Sequence, residues 1–423
     1  QVDPAPGHWR RWRTDRERSG SNGARVGEQA PLTMEGRPIR VLALSPIPQE
    51  GAGCRFRIAQ FIPYLESVGF EVTLDSLFTP EFFRLVYKPG HYLRKATTFA
   101  ASSLRRLSVL RETSRFDVIF IYRELFPLGP GVVERFLAAR AARASTTGPP
   151  LVLDFDDAIF LPNVSHANRL IAALKRPQKV ASLISCSDHV IVGNDYLAEY
   201  ARHFNSAVTM IPTSVDTRQF VPSPAPHANA PTHELIVGWI GSPTTGPYIR
   251  GLTNVLRRVR EQHRFTLRVS GAGERFDVPG VTVQHEAWQL DREVALFNTC
   301  DVGVYPLADD EWSKGKCGFK AIEFMACGVP VVAAAVGVNR DIIQDGVNGF
   351  LASSEDEWVQ KLGLLLSDVA LRRRFAEAGR KTVEAGYSVR VNAPKLAATL
   401  RAVAERGPFR VARPECAATE GRG

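Results

Sequence analysis

The sequence predicts an α/β protein of two doubly wound parallel sheets, Rossmann-like domains that face each other across one cleft. Three observations carry this reading. The chain has 423 residues, more than one hydrophobic core usually supports. From Ile39 onward, short β-branched runs alternate with amphipathic helical stretches. A Pro-, Ala- and Asn-rich segment, Pro222 to Thr232, interrupts the pattern as a linker would, and the pattern then restarts.

The runs IRVLALSPI (39–47), FEVTL (70–74), DVIFIY (117–122), PLVLDF (150–155), HVIVGN (189–194) and VTMIP (208–212) read as the strands of a first sheet. ELIVGWIG (234–241), TLRVSG (266–271), VTVQHE (281–286), DVGVYPL (301–307) and VPVVAAA (329–335) read as a second. Near-continuous apolar character marks strands covered by helices on both faces. Three helical stretches, near 355–368, 370–384 and 390–405, close the chain without another strand. The expected division is a disordered tail over 1–36, a domain over 37–215, a linker over 216–233, a second domain over 234–385, a helix over 386–406 and a tail over 407–423. The N-terminal stretch is rich in Arg, Gly, Pro and Ser with no hydrophobic period, and Met34 is a plausible start.

Apolar residues make up 44% of the chain and charged residues 23%, a globular composition. The formal charge of +9 points to an anionic partner: nucleic acid, acidic lipid or the phosphates of a small ligand. The six cysteines are far apart and form no CxxC pair, so neither a zinc site nor a disulfide framework is indicated and a reducing cytoplasm fits. No apolar run approaches the roughly 20 residues of a membrane-spanning helix, and the N-terminus lacks the apolar core of a signal peptide. The expectation is a cytoplasmic protein.

The segment WSKGKCGFKAIEFMACGVPVVAAAVGVNRDIIQDGVNGFL (312–351) is the most informative. Its middle reads as loop, helix, tight turn, buried strand and loop. Lys320 and Glu323, three apart, share one helical face near an N-terminus whose free amides and dipole favour an anion. Glu323 could accept hydrogen bonds from two vicinal ribose hydroxyls while Lys316 and Lys320 neutralise a diphosphate beside it. An ordinary Lys–Glu helical ion pair explains the spacing equally well.

The run KCGFKAIEFMACGVPVVA, followed by VGVN and DGVNGFL, closely resembles the donor-binding motif of family 4 retaining glycosyltransferases, which have the GT-B fold. The similarity runs from about Ile39 to Glu405, through YRELFPLGP, IVGNDYLAEYA and IPTSVD. It implies a nucleotide diphosphate sugar as donor, a saccharide or lipid-linked acceptor, transfer with retention, and neither metal nor cofactor. It assigns the acceptor to the first domain, the donor to the second, and returns the last helix to the first domain. The second glutamate of the family's Glu-x7-Glu motif, which holds the donor ribose, maps onto Glu323. The first maps onto Gly315, a departure that leaves the donor sugar's hydroxyls without an assigned contact; Asp309, Asp310 and Glu311 are candidates, Asp310 foremost. A second departure follows the first strand of the second sheet, where the family places an Arg and a Lys on the phosphates. Here Gly241, Ser242, Thr244 and Thr245 offer hydroxyls and free amides instead, or simply a capped helix start.

In the first domain the loop PQEGAGCRFR (48–57) leaves the first strand. Gly51 and Gly53 allow close backbone approach to a ligand, and Arg55 or Arg57 can meet a phosphate or an acceptor's charge. YRE (122–124), with Glu124, and DFDDA (154–158), with Asp156 and Asp157, also end strands and are expected on the acceptor side. Asp156 equally fits a helix cap. Trp288, after a strand of the second sheet, is placed near the base by position alone. Residues 82–115 mix apolar and basic side chains and suit either an anionic membrane surface or a solvated basic face. A GT-B-like nucleotide-sugar epimerase and a non-catalytic nucleotide-sugar binder are the rival readings. Nucleic acid is disfavoured, because the basic segment lacks a groove-reading motif.

Overall fold

The computed structural model describes residues 37–407 except 87, 89, 130, 132, 134–147, 163–176 and 224–233. The expected tail over 1–36 with Met34, most of the linker, and the C-terminal tail beyond Gly407 lie outside the described residues.

The N-terminal lobe contains β1 (Ile39–Ser45), β2 (Phe70–Ser76), β3 (Val118–Tyr122), β4 (Leu151–Phe155), β5 (His189–Val192) and β6 (Val208–Met210), ordered β2-β1-β3-β4-β5-β6. Every pairing is parallel, with Val41 opposite Val118 and Val152 opposite His189 among the registers. The C-terminal lobe contains β7 (Leu235–Ile240), β8 (Phe265–Ser270), β9 (Thr282–Glu286), β10 (Val302–Tyr305), β11 (Val331–Ala334) and β12 (Phe350–Ala352), ordered β12-β11-β10-β7-β8-β9 and again all parallel. Only β12 lacks a counterpart among the expected strands; three residues give no period to read.

Strand order reverses between β1 and β3 in one sheet and between β7 and β10 in the other. At such switch points successive crossovers leave to opposite faces and open a crevice at the strands' carboxyl ends. The loops after β1, β3, β4, β7 and β10 are those singled out above, so topology alone gathers them.

Both lobes are helix-covered sheets with dry interiors. Leu42, Leu44, Val152, Leu153 and Val190 are sealed in the first, and Val237, Leu267, Val302 and Val332 in the second. The closing helix Val389–Arg406 crosses back, as the resemblance implied. Its Ala393, Leu396, Ala397, Leu400 and Val403 pack with Ile39, Val41, Phe61 and Val118 of the N-terminal lobe. Spacings of three and four place these residues on one helical face, which alone requires an apolar partner.

Candidate active site

The helix Phe319–Ala326 follows β10 and its lysine loop, and its first turn faces the other lobe: the Phe319 ring lies 4.3 Å from that of Phe56. One turn on, Glu323 is fully buried, and Lys320 Nζ stands 2.6 Å from its Oε2. In this structure the two residues therefore clasp each other, and the open carboxylate expected from sequence is replaced by one lying beneath the lysine. The other oxygen, Oε1, has no hydrogen-bond partner among the described residues. Burial pushes the Glu323 carboxyl up to about 7; Glu293 adds to the rise, while Lys320 and Arg55 oppose it.

Glu293 is the residue that sequence reasoning missed. Almost sealed, it accepts from Arg55 of the N-terminal lobe (2.7 Å) and lies 4.0 Å from Lys320 Nζ. LDREVALF reads only as a helix opening with an acidic first turn, so no spacing marked it. Arg55, expected on the acceptor side, thus reaches across the cleft, its guanidinium 4.5 Å above the Phe56 ring and 5.8 Å from that of Trp288. Trp288 borders this cluster.

A second cluster lies at the ends of β3 and β4. Asp156 accepts from the Tyr122 hydroxyl (2.8 Å) and from Arg123 Nη2 (2.7 Å), and Arg123 also binds Asp157. Burial opposes ionisation of Asp156, but Arg123 and Arg57 outweigh it and hold the carboxyl below its usual range. Arg123 sits at φ 61°, a left-handed conformation rare outside glycine that concentrates at functional sites. Lys316 of the C-terminal lobe lies 3.8 Å from Asp157 and 5.3 Å from the Trp312 ring. The lysine loop presses on this cluster: Asn194 caps its own helix through Leu197 N and donates to Lys316 O at 3.0 Å, while Cys317 Sγ meets Asp156 O at 3.2 Å. A Cβ at Gly315 would lie 2.9 Å from Ala158 N, which is why no glutamate fits at the position of the family's first one.

Several expectations need correction. Arg57 does not face the acceptor: it is buried, its guanidinium bound to both oxygens of Asp154 and to Ile211 O. Asp310 caps the helix Glu311–Lys314 through Ser313 N (2.7 Å), and Glu311 takes the Tyr196 hydroxyl (2.8 Å). Glu124 pairs with Lys179 at 2.6 Å, so Arg123 rather than Glu124 joins the cluster from YRE. Gly51 makes room for Ile47, Gly241 for the Trp239 ring and Gly53 for the Tyr122 hydroxyl. Their missing side chains serve packing in this structure. Ser242, Thr244 and Thr245 hydrogen-bond mainly among themselves, with Ser242 Oγ 2.8 Å from Thr244 Oγ1. Tyr248, on the helix they precede, touches Ser313 of the lysine loop at 3.3 Å.

Because a Cβ at Gly53 would overlap the Tyr122 hydroxyl, Gly53→Ala is expected to destabilise the N-terminal lobe by about 1–3 kcal/mol. Tyr122→Phe in the same chain should recover part of that loss. Denaturant titration of the single and double variants checks it; equal midpoints for Gly53→Ala and the unmodified protein would refute it.

Two parallel six-stranded sheets meeting across a cleft at their carboxyl ends define a two-lobed α/β protein of the GT-B fold. Solved structures share it at identities that speak for fold alone. Sucrose-phosphate synthase from Thermosynechococcus elongatus aligns over 87% of this chain and 100% of its own, with a TM-score of 0.64 and 18% identity. Anabaena HepE in complex with UDP aligns over 86% and 100%, with a TM-score of 0.57 and 18% identity. Residues 235–368 match the family described as Glycosyl transferases group 1. Among curated relatives, a D-inositol 3-phosphate glycosyltransferase of Xylanimonas cellulosilytica is 28% identical over 41% of this chain and 46% of its own. That of Stackebrandtia nassauensis is 39% identical over 19% and 18%. The match thus spans less than half the length of either relative.

Proposed function

We propose that this chain is a retaining glycosyltransferase of family 4 that moves a sugar from a nucleotide diphosphate carrier to a saccharide or lipid-linked acceptor hydroxyl. The observation that carries the reading is the unpartnered Glu323 Oε1 beside Lys320 on the helix turn that meets the other lobe. A buried acceptor with no donor is costly unless something arrives to donate. A ribose hydroxyl is such a donor, reaching the site when Lys320 turns from Glu323 toward the diphosphate. HepE, crystallised with UDP and with UDP-glucose, makes a uridine diphosphate sugar the first donor to try.

In this reading the bond between the sugar's anomeric carbon and the leaving diphosphate breaks, and the acceptor hydroxyl forms its bond on the same face. Its proton passes to the departing phosphate oxygen. Lys316, Lys320 and the amides at the start of the helix Phe319–Ala326 stabilise the growing charge. Arg123 engages one oxygen of Asp156 and one of Asp157, and in this reading neutralisation of the diphosphate is the work of the lysines. Asp156, Asp157 and Arg123 line the acceptor side. The process served is the assembly of a surface polysaccharide, glycolipid or glycoconjugate.

A donor-hydrolysis screen across nucleotide sugars tests the reading; hydrolysis of none, with no binding of any nucleoside diphosphate, would refute it. The state of Glu323 adds a second check. Burial raises its carboxyl to about 7, so it takes up a proton more readily than a surface glutamate, and the ionised oxygen is the stronger acceptor for a ribose hydroxyl. Nucleotide binding should therefore release a proton. Affinity should weaken as pH falls below about 7, by at most about tenfold per pH unit. Calorimetry in buffers of different ionisation enthalpy reads the proton, and Glu323→Gln should abolish the pH dependence. A pH-independent affinity in the unmodified protein would exclude Glu323 as the ribose ligand.

A further inference from the structure

The helix Tyr92–Arg111 buries one face and leaves leucines exposed on the other. Ser102, Arg106, Val109 and Leu110 are buried against the lobe. Leu93 and Leu104 stand out on the opposite side, 85% and 69% exposed, with Leu107 at 38% and Tyr92 at 57% beside them. Steps of 11 and 3 residues, at 3.6 residues per turn, keep Leu93, Leu104 and Leu107 within one narrow outward stripe. Three exposed leucines in a row on a 20-residue helix are not the scattered apolar residues of an ordinary surface.

The helix contains five basic residues and no acid. Arg94 flanks the stripe and Arg111 ends it, while Arg105 beside them is held by Asp75. An apolar stripe with exposed cations at its margin and no acid on the helix fits a surface that is apolar within and anionic at its rim, which is an acidic bilayer. A second copy of this face would bring like charges together.

The helix is also held where such a surface would matter. Arg106 Nη2 donates to Ser45 O (2.7 Å) and Asp75 O (3.1 Å), Arg106 Nε lies 2.6 Å from Asp75, and Arg105 binds Asp75 and Ser76 O. Those carbonyls end β1 and β2, so the helix is fixed to the sheet edge from which the loop carrying Arg55 departs. No helix among the described residues is long and apolar enough to cross a membrane.

We propose that the outer face of the helix Tyr92–Arg111 docks on anionic lipid, seating Leu93 and Leu104 among the acyl chains and presenting the N-terminal side of the cleft to the bilayer. The test is sedimentation of the full chain with phosphatidylcholine vesicles, with and without about 30 mol% phosphatidylserine. Binding should require the acidic lipid and fall as salt shortens the Debye length. Leu93→Ser with Leu104→Ser should lower the partition coefficient about 10- to 100-fold, leaving the unfolding temperature and nucleotide binding unchanged, because neither side chain is packed. Equal binding to neutral vesicles, or a double variant that binds acidic vesicles as well as the unmodified chain, would overturn the proposal. So would a concentration-dependent dimer that the same two substitutions dissolve. The readout is independent of any sugar transfer, so its failure and that of the catalytic reading are separable.

Discussion

Lys320→Ala is expected to lower donor turnover about 100- to 1000-fold, the usual loss when one preorganised charge is removed from a developing oxyanion. Its ammonium lies 2.6 Å from Glu323 and 4.0 Å from Glu293, so it is fixed by two carboxylates before any ligand arrives. Once turned from Glu323 to the diphosphate on donor binding, it stands beside the leaving group before the bond breaks, so charge grows against a cation already in place. The side chain is partly open to solvent, and Glu323 can take up a proton once its partner is gone, so the fold should survive. Thermal unfolding within a few degrees of the unmodified protein, together with the loss of turnover, is the expected pair of results. Lys320→Arg should recover an intermediate rate, because it restores the charge but not the point geometry of an ammonium. Turnover within threefold of normal in the alanine variant would remove Lys320 from the chemistry.

What was legible in the sequence follows from how each feature is encoded. Buried parallel strands announce themselves in consecutive residues, as in VIFIY or VVAA, and the loops at their carboxyl ends inherit a predictable place. That is how the lysine loop, the loop after β1 and the DFDD turn could be brought to one cleft before any coordinates. Pairings between lobes have no such signature. Arg55 and Glu293 are 238 residues apart, and nothing in either neighbourhood names the other. The same limit explains Arg57 and Gly53. Each sits in a glycine-rich loop that reads as a ligand cradle, yet one is consumed by Asp154 and the other by the Tyr122 hydroxyl, both from different strands. Spacing revealed the Lys320–Glu323 pair; it could not reveal that the pair would close on itself and leave one oxygen unpartnered.

Beneath the acceptor side, Arg57 and Asp154 form a buried ion pair whose disruption should cost the most stability of any single change considered. Arg57 Nε donates to Asp154 at 3.0 Å and Nη1 to Ile211 O at 2.7 Å, with Nη2 on the second carboxylate oxygen, and both side chains are sealed from solvent. Burial disfavours the charged Asp154 and only Arg57 and, more weakly, Arg123 offset it. Arg57→Ala therefore strands a carboxylate inside the lobe, at a cost of about 3–5 kcal/mol. For a lobe of this size that is a fall of roughly 6–20 °C in its unfolding transition. Replacing both residues by leucine should be much milder, since a buried ion pair is often no more stable than well-packed apolar side chains. Calorimetry of the single and double variants checks the ordering. The double change removes a net-neutral pair beside Asp156, both the Arg57 charge that favours its ionisation and the Asp154 charge that repels it, so the acid limb of the activity profile should stay in place. A double variant whose acid limb moves toward neutrality would mean that Arg57 outweighs Asp154 in setting the charge of Asp156.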